Sequence, residues 1–164
     1  MNAFWTYFWP LFAIGVVAGG LFGSFAMRRR RRWLFAVGFA VTLAGAFVWS
    51  GPLGAADRLV ASIESQAAAA LRDYEMTMVQ ARLHRAPLTR RLMLSGPADD
   101  FQRSELVRIM ETIPGVSSAS WSGDSGGRPL LLDGIAVGVL GFLAGLMLAY
   151  VVELRRRYNA QWKW

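Results

Sequence analysis

The chain contains no cysteine and only one histidine, His84. Without thiols there is no disulfide framework, no thiolate nucleophile and no cysteine metal site. A lone imidazole leaves little for metal-centred or histidine-based acid–base chemistry. Charge is also scarce: 18% of the 164 residues are Asp, Glu, Lys or Arg, against about 25% in an average soluble domain. The scarcity is concentrated, since residues 1–27 carry no charged side chain and residues 134–152 carry none either. A single soluble domain filling the whole length is thereby excluded. No catalytic constellation is visible, so the expectation is a protein that is not an enzyme and holds no cofactor and no metal.

What the chain has instead is apolar surface, 54% of its residues, and a net charge of +7. A pI near 11.0 suggests nucleic-acid binding until the charges are located. Arg28, Arg29, Arg30, Arg31 and Arg32 give +5, and Glu153, Arg155, Arg156, Arg157 and Lys163 give +3. Between Gly51 and Asp133, nine arginines face ten acidic residues. The excess sits at the ends of apolar segments, which is a topology signal and not a phosphate-binding surface; no nucleic-acid partner is expected.

Crossing roughly 30 Å of hydrocarbon takes about 20 apolar residues, and three stretches qualify: about Ala3–Met27, Trp33–Ser50 and Leu130–Val152. Helices are expected because every backbone group needs a partner in lipid. The first stretch precedes its basic residues instead of following them, so it reads as a retained span and not a cleaved signal. The positive-inside rule puts Arg28–Arg32 and the tail in the cytoplasm, with the N-terminus and the central segment on the other side of a bacterial inner membrane. The expected organisation is a helical hairpin over 1–51, an extramembrane domain over 52–122, a Gly/Ser linker over 123–130, a third span over 131–152 and a basic tail over 153–164. Phe4, Trp5, Tyr7, Phe8, Trp9 and Trp49 would form the outer aromatic belt, and Trp33, Tyr150, Tyr158, Trp162 and Trp164 the inner one. A quinone or pigment contact is the alternative for the N-terminal cluster.

Small residues form stripes in the spans: Gly15, Gly19 and Gly23; Ala36, Ala40 and Ala44; Gly134, Gly138, Gly141 and Gly145. Close backbone approach at such residues supplies much of helix association in lipid. The stripes predict helix packing, within the chain or on another subunit. No ionisable residue is expected inside a span, so transport by this chain alone is not expected.

The central segment predicts helix, strand, strand, helix, strand. Leu59, Val60, Ile63, Ala67, Ala70 and Leu71 have helical spacing from Ala55 to Leu71. Strands follow over Met76–His84, with Ala81 and Leu83 on one face, and over Arg91–Ser95. Asp99 or Asp100 caps a helix whose apolar face holds Phe101, Leu106, Val107, Ile109, Met110 and Ile113. Pro114 and Gly115 end it before a strand over Val116–Trp121.

The strand ending Leu92-Met93-Leu94-Ser95-Gly96, the following helix and the turn Ile113-Pro114-Gly115-Val116 resemble a BON domain. The likeness covers about Ala55–Trp121 and rests on Leu94, Gly96, Pro114, Gly115 and Val116. The Arg-Ala-Pro-Leu-Thr-Arg segment departs from the family's acidic-Gly hairpin. The resemblance implies a small non-enzymatic α+β module of αββαβ order that binds phospholipid or protein outside the inner membrane. The fold class expected is therefore an α-helical membrane protein with three transmembrane helices and this small extramembrane domain.

Other features have plainer readings. Gly123–Gly127 lacks the Lys-Ser/Thr of a phosphate loop and reads as linker. Asp99, Asp100 and Glu105 read as helix capping before cation binding. His84, between Arg82 and Arg85, reads as solvent-facing. Arg82, Arg85, Arg90 and Arg91 form a basic patch, either a solvated surface or a site for an anionic headgroup or acidic partner. The expected role is an accessory subunit packed on a larger membrane complex, respiratory or photosynthetic, with membrane lipids and integral subunits as partners. The alternatives are a tethered BON module binding anionic lipid or envelope partners, and a self-assembling homo-oligomer.

Overall fold

The computed structural model describes residues 3–29, 31–121 and 128–161. Arg30, residues 122–127 (the end of the expected domain and most of the expected linker), and Trp162, Lys163 and Trp164 lie outside the described residues. The chain divides into two compact units: residues up to Tyr7 with Gly54–Asp133, and Phe8–Leu53 with the chain from Gly134 onward. It is mostly helical, with three helices long and apolar enough to cross a membrane and one small sheet.

The helical unit draws on α1 (Ala3–Arg29), α2 (Trp33–Ser50) and α5 (Leu130–Gln161). Buried positions on α1 run Phe8, Leu11, Gly15, Ala18, Gly19, Gly23 and Ala26, an alternation of three and four residues that keeps one face inward. On α5 the inward face is Gly134, Gly138, Gly141, Phe142, Gly145 and Ala149. The outward faces are also apolar: Val17, Leu21 and Phe25 on α1, Phe47 on α2, and Leu140 and Met147 on α5 are all more than half exposed. Helices that are apolar all round suit a membrane interior.

Two expectations about α5 are corrected. It continues to Gln161, so residues 153–161 are its last turns and not a separate tail; Glu153 accepts a hydrogen bond from Arg157 Nε at 3.1 Å, one turn on. Asp133 lies in the first turn, inside the stretch given to the third span. A carboxylate there faces the positive end of the helix dipole.

The other unit contains α3 (Ala55–Asp73), β1 (Gln80–Arg85), β2 (Leu88–Ser95), α4 (Asp100–Glu111) and β3 (Ser118–Ser120), in the element order expected. The sheet order is β1-β2-β3, with β1 antiparallel and β3 parallel to β2. Leu83 pairs with Leu92 and Leu92 with Ala119, so one sheet face carries Leu83, Leu92, Leu94 and Ala119, all buried. Ile63 and Ala67 of α3 and Met110 of α4 are fully buried with them. Each large side chain so removed from water contributes about 2–3 kcal/mol.

The strands begin elsewhere than expected. β1 starts at Gln80 because 71–76 form a helix terminus: Met76 N–H donates to Leu71 O and Glu75 N–H to Arg72 O, a Schellman pair. β2 starts at Leu88, since the hairpin turn is only Ala86-Pro87, joined by a cis peptide bond. β3 is three residues and not six. His84 is partly exposed at the hairpin, with Nδ1 3.0 Å from the Pro87 carbonyl oxygen. Phe101 is 76% exposed and leaves the apolar face of α4 to Leu106 and Met110, with Ile113 buried just past its end. Asp99, not Asp100, is the N-cap, in a capping box with Gln102.

Gly96 and Gly115 need positive φ, +136° and +106°. A Cβ at Gly96 would lie 2.6 Å from the Met78 carbonyl oxygen, and one at Gly115 2.9 Å from Ile63 Cδ1. Only glycine suits both turns.

Glu75 occupies the left-handed C′ position, with φ 59°, where glycine is preferred. Glu75→Gly is expected to stabilise this unit by about 0.5–1 kcal/mol, measured as a rise in the thermal midpoint of the full chain; a fall would contradict the strain assigned here.

Candidate functional site

Two constellations carry the residues singled out from sequence: the glycine seam of the helical unit and the arginines of the α+β unit. In the seam, α1 and α5 meet main chain to main chain. A Cβ on Gly15 would collide with the Gly138 carbonyl oxygen, and one on Gly19 with that of Phe142. From the other side, a Cβ on Gly141 would meet the Phe12 carbonyl oxygen, and one on Gly145 that of Val16. At Gly23 the neighbours are Leu146 Cδ2 at 2.7 Å and Ala149 Cβ at 3.3 Å. The glycine stripes of α1 and α5 are thus partners within one chain. Van der Waals contact over this narrow gap holds the two backbones together.

The alanine stripe of α2 does something else. Ala36, Ala40 and Ala44 are exposed, so of the two packing partners expected for them this chain is not the one. Gly38, Thr42 and Ala46, two residues out of step, are buried instead. A Cβ on Gly38 would lie 2.7 Å from Phe22 Cβ, and one on Gly45 2.9 Å from Ile14 Cγ2. Thr42 Oγ1 donates to the Gly38 carbonyl at 3.0 Å, which satisfies the hydroxyl inside the bundle. Both stripes are legible as small residues at four-residue spacing; nothing in an all-apolar helix says which one turns inward.

The four arginines of the basic patch are divided among different partners. Arg85 reaches Glu64 of α3, Nη2 to Oε2 at 3.4 Å. Arg91 Nε donates to Ser120 Oγ on β3 at 3.1 Å. Arg82 is exposed, opposite Met93 in the register. Arg90 is the most enclosed: its Nε lies 3.0 Å from Asp133 Oδ2, with both side chains about a quarter exposed, and its guanidinium carbon is 5.6 Å from the Phe4 ring centroid. Ser117 donates to the Arg90 carbonyl through N–H at 2.8 Å and Oγ at 3.1 Å. Next door, Thr89 bridges Pro129. Arg90 is therefore a structural rivet between β2, the first turn of α1 and the first turn of α5, all within one unit. Tyr7 and Phe8, expected in the outer aromatic belt, are buried at 2% and 6% exposure.

Carboxylates close both sheet edges, a feature the sequence reading missed. Glu64 Oε1 accepts the Leu83 N–H at 3.1 Å on β1, and Glu111 Oε1 accepts the Ala119 N–H at 3.3 Å on β3. An open edge invites pairing with another strand, and these contacts blunt it. The only signal was a glutamate on each helix flanking an edge strand.

Among the described residues no group of three or more His, Asp or Glu side chains is placed to hold a metal ion. No protein-family model matches the chain, and no curated protein or solved structure matches it.

Gly141→Leu forces the α1 and α5 backbones apart and is expected to cost about 3 kcal/mol, whereas Ala40→Leu on the exposed stripe changes stability by under about 0.5 kcal/mol. Reversible unfolding in mixed micelles, followed by tryptophan fluorescence, ranks the two; equal losses would contradict the seam. A double-mutant cycle on Arg90→Gln and Asp133→Asn is expected to give a coupling of about 1–2 kcal/mol, between exposed and buried ion pairs; a coupling of zero would remove the rivet.

Proposed function

We propose that the chain is a non-catalytic accessory subunit of a larger assembly in a bacterial inner membrane. Its three helices cross the bilayer, and its α+β unit is a BON-like module on the periplasmic side. The observation that carries the reading is the exposed Ala36-Ala40-Ala44 stripe, flanked by the half-exposed aromatics Trp33 and Phe47. Only 17% of the α2 apolar window is buried, against 33% for α1 and 28% for α5. Lipid tails need no flat small-residue surface, whereas another helix packs closely on one. The preserved glycine turns at Gly96 and Gly115 support the BON likeness, and the charge already engaged by Arg85, Arg90 and Arg91 supports a structural over a catalytic module.

The orientation follows from the positive-inside rule. It is supported by one cleft of the helical unit that is lined by both Arg32 and Arg157, one from each basic segment. Both segments then belong on the cytoplasmic side. A second reading, a tethered module that binds anionic lipid, draws on exposed Arg82 and half-exposed Arg91 on the sheet face opposite Leu83 and Leu92.

Gentle solubilisation of native membranes is expected to recover the full chain with a stoichiometric integral partner. Ala40→Leu with Ala44→Leu is expected to lose that partner while keeping its own unfolding midpoint. Recovery of the chain alone sinks the accessory reading; recovery as a defined homo-oligomer replaces it with self-assembly.

A further inference from the structure

At the basic end of the helical unit lies a cleft of about 630 Å³ lined by Ala26, Met27, Arg32, Phe35, Tyr150, Glu153, Leu154 and Arg157. Its composition is two-sided. Ala26, Met27, Phe35 and Leu154 offer hydrocarbon, while Arg32, Arg157 and the Tyr150 hydroxyl offer donors. The volume falls in the ordinary range of small-ligand sites.

Glu153 is the one acidic group there, only 18% exposed, and its Oε1 accepts from Arg157 Nε at 3.1 Å. That bond neutralises the carboxylate and anchors the guanidinium by Nε, which leaves the two Nη groups as further donors. Arg32 makes no ion pair, being absent from every salt bridge among the described residues. Neighbouring Arg28, Arg29, Arg31, Arg155 and Arg156 raise the local positive potential, with Glu153 the sole acid in these segments.

We propose that this cleft seats the headgroup of an anionic glycerophospholipid. The two arginine forks meet the phosphodiester, which guanidinium recognises by planar, charge-assisted hydrogen bonds. The first methylenes of the acyl chains lie along Phe35 and Leu154. A free inorganic anion would leave those apolar walls uncovered, and so would an acidic peptide. The charge, the walls and the place at the end of apolar helices suit one molecule that is anionic at the head and hydrocarbon below. The proposal rests on the membrane-spanning reading of the three helices, and it concerns a different surface from the arginines of the α+β unit.

The test uses the full chain, delipidated in mild detergent and titrated with phosphatidylglycerol or phosphatidylcholine of the same acyl chains, with bound lipid counted by native mass spectrometry. One equivalent of phosphatidylglycerol is expected to bind about tenfold more tightly than phosphatidylcholine. Arg32→Gln with Arg157→Gln abolishes the preference, whereas Arg155→Gln with Arg156→Gln retains most of it. Equal retention of the two lipids, equal loss in both arginine pairs, or displacement of phosphatidylglycerol by a polyglutamate peptide would each overturn the proposal. Alkaline carbonate extraction of native membranes separates the two levels. A chain that resists extraction but shows no lipid preference loses only this inference, and one released into the supernatant loses the spanning reading as well.

Discussion

The helical unit depends on two main chains approaching more closely than any side chain would permit. At Gly15, Gly19, Gly141 and Gly145 a single added carbon would strike a carbonyl oxygen or backbone nitrogen of the opposing helix. Such proximity gives continuous van der Waals contact and room for weak Cα–H···O interactions. Everything else in that unit is fitted around the α1–α5 contact. Phe142, whose backbone faces Gly15 and Gly19, also presents its ring beside Gly38 of α2 and Phe39. Arg31 and Arg32 lead into α2, their carbonyl oxygens accepting the Leu34 and Phe35 N–H groups at 3.2 and 3.1 Å.

The α+β unit uses a different economy. Its core is small, centred on Ile63, Leu92, Leu94 and Met110, and a core of that size contributes limited stability. Ionic groups are spent on closure: Glu64 and Glu111 on the sheet edges, Arg90 on Asp133 and Phe4, and Asp99 with Gln102 on the start of α4. The net charge near zero across Gly51–Asp133 comes from nine arginines against ten acidic residues, not from an absence of charged residues. The same arrangement explains why the four arginines do not all share one surface. Arg90 and Arg91 are adjacent on β2 and so project to opposite faces.

Much of the architecture was legible because its determinants are local. Uncharged runs give the three long helices, Leu59–Leu71 gives α3, and Gly96 and Pro114-Gly115 mark the turns around α4. What was not legible depends on the choice of face or partner. In α2 every position is apolar or small, so periodicity cannot decide between Ala36-Ala40-Ala44 and Gly38-Thr42-Ala46; Phe22, Ile14 and Phe142 decide it. Phe101 satisfies a helical pattern yet stays outside, because Leu106 and Met110 already fill the space over the sheet. β2 was read three residues too short, since Thr89, Arg90 and Pro87 resemble turn chemistry until Ser117 and Pro129 pair with them. Nothing near Asp133 in the sequence names its partner, which lies 43 positions earlier in the chain at Arg90 and is a tertiary contact.

The central claim is that the glycine faces of α1 and α5 are satisfied by each other inside one chain. Because the protein has no cysteine, a Gly23→Cys, Ala149→Cys variant has just two thiols, at positions where a Cβ on residue 23 would stand 3.3 Å from the Cβ of Ala149, close to the roughly 3.5–4.5 Å of a disulfide. Mild oxidation in native membranes is predicted to give rapid intramolecular cross-linking, visible as faster gel migration at monomer mass. Cross-linking only between chains, or none, would contradict the account.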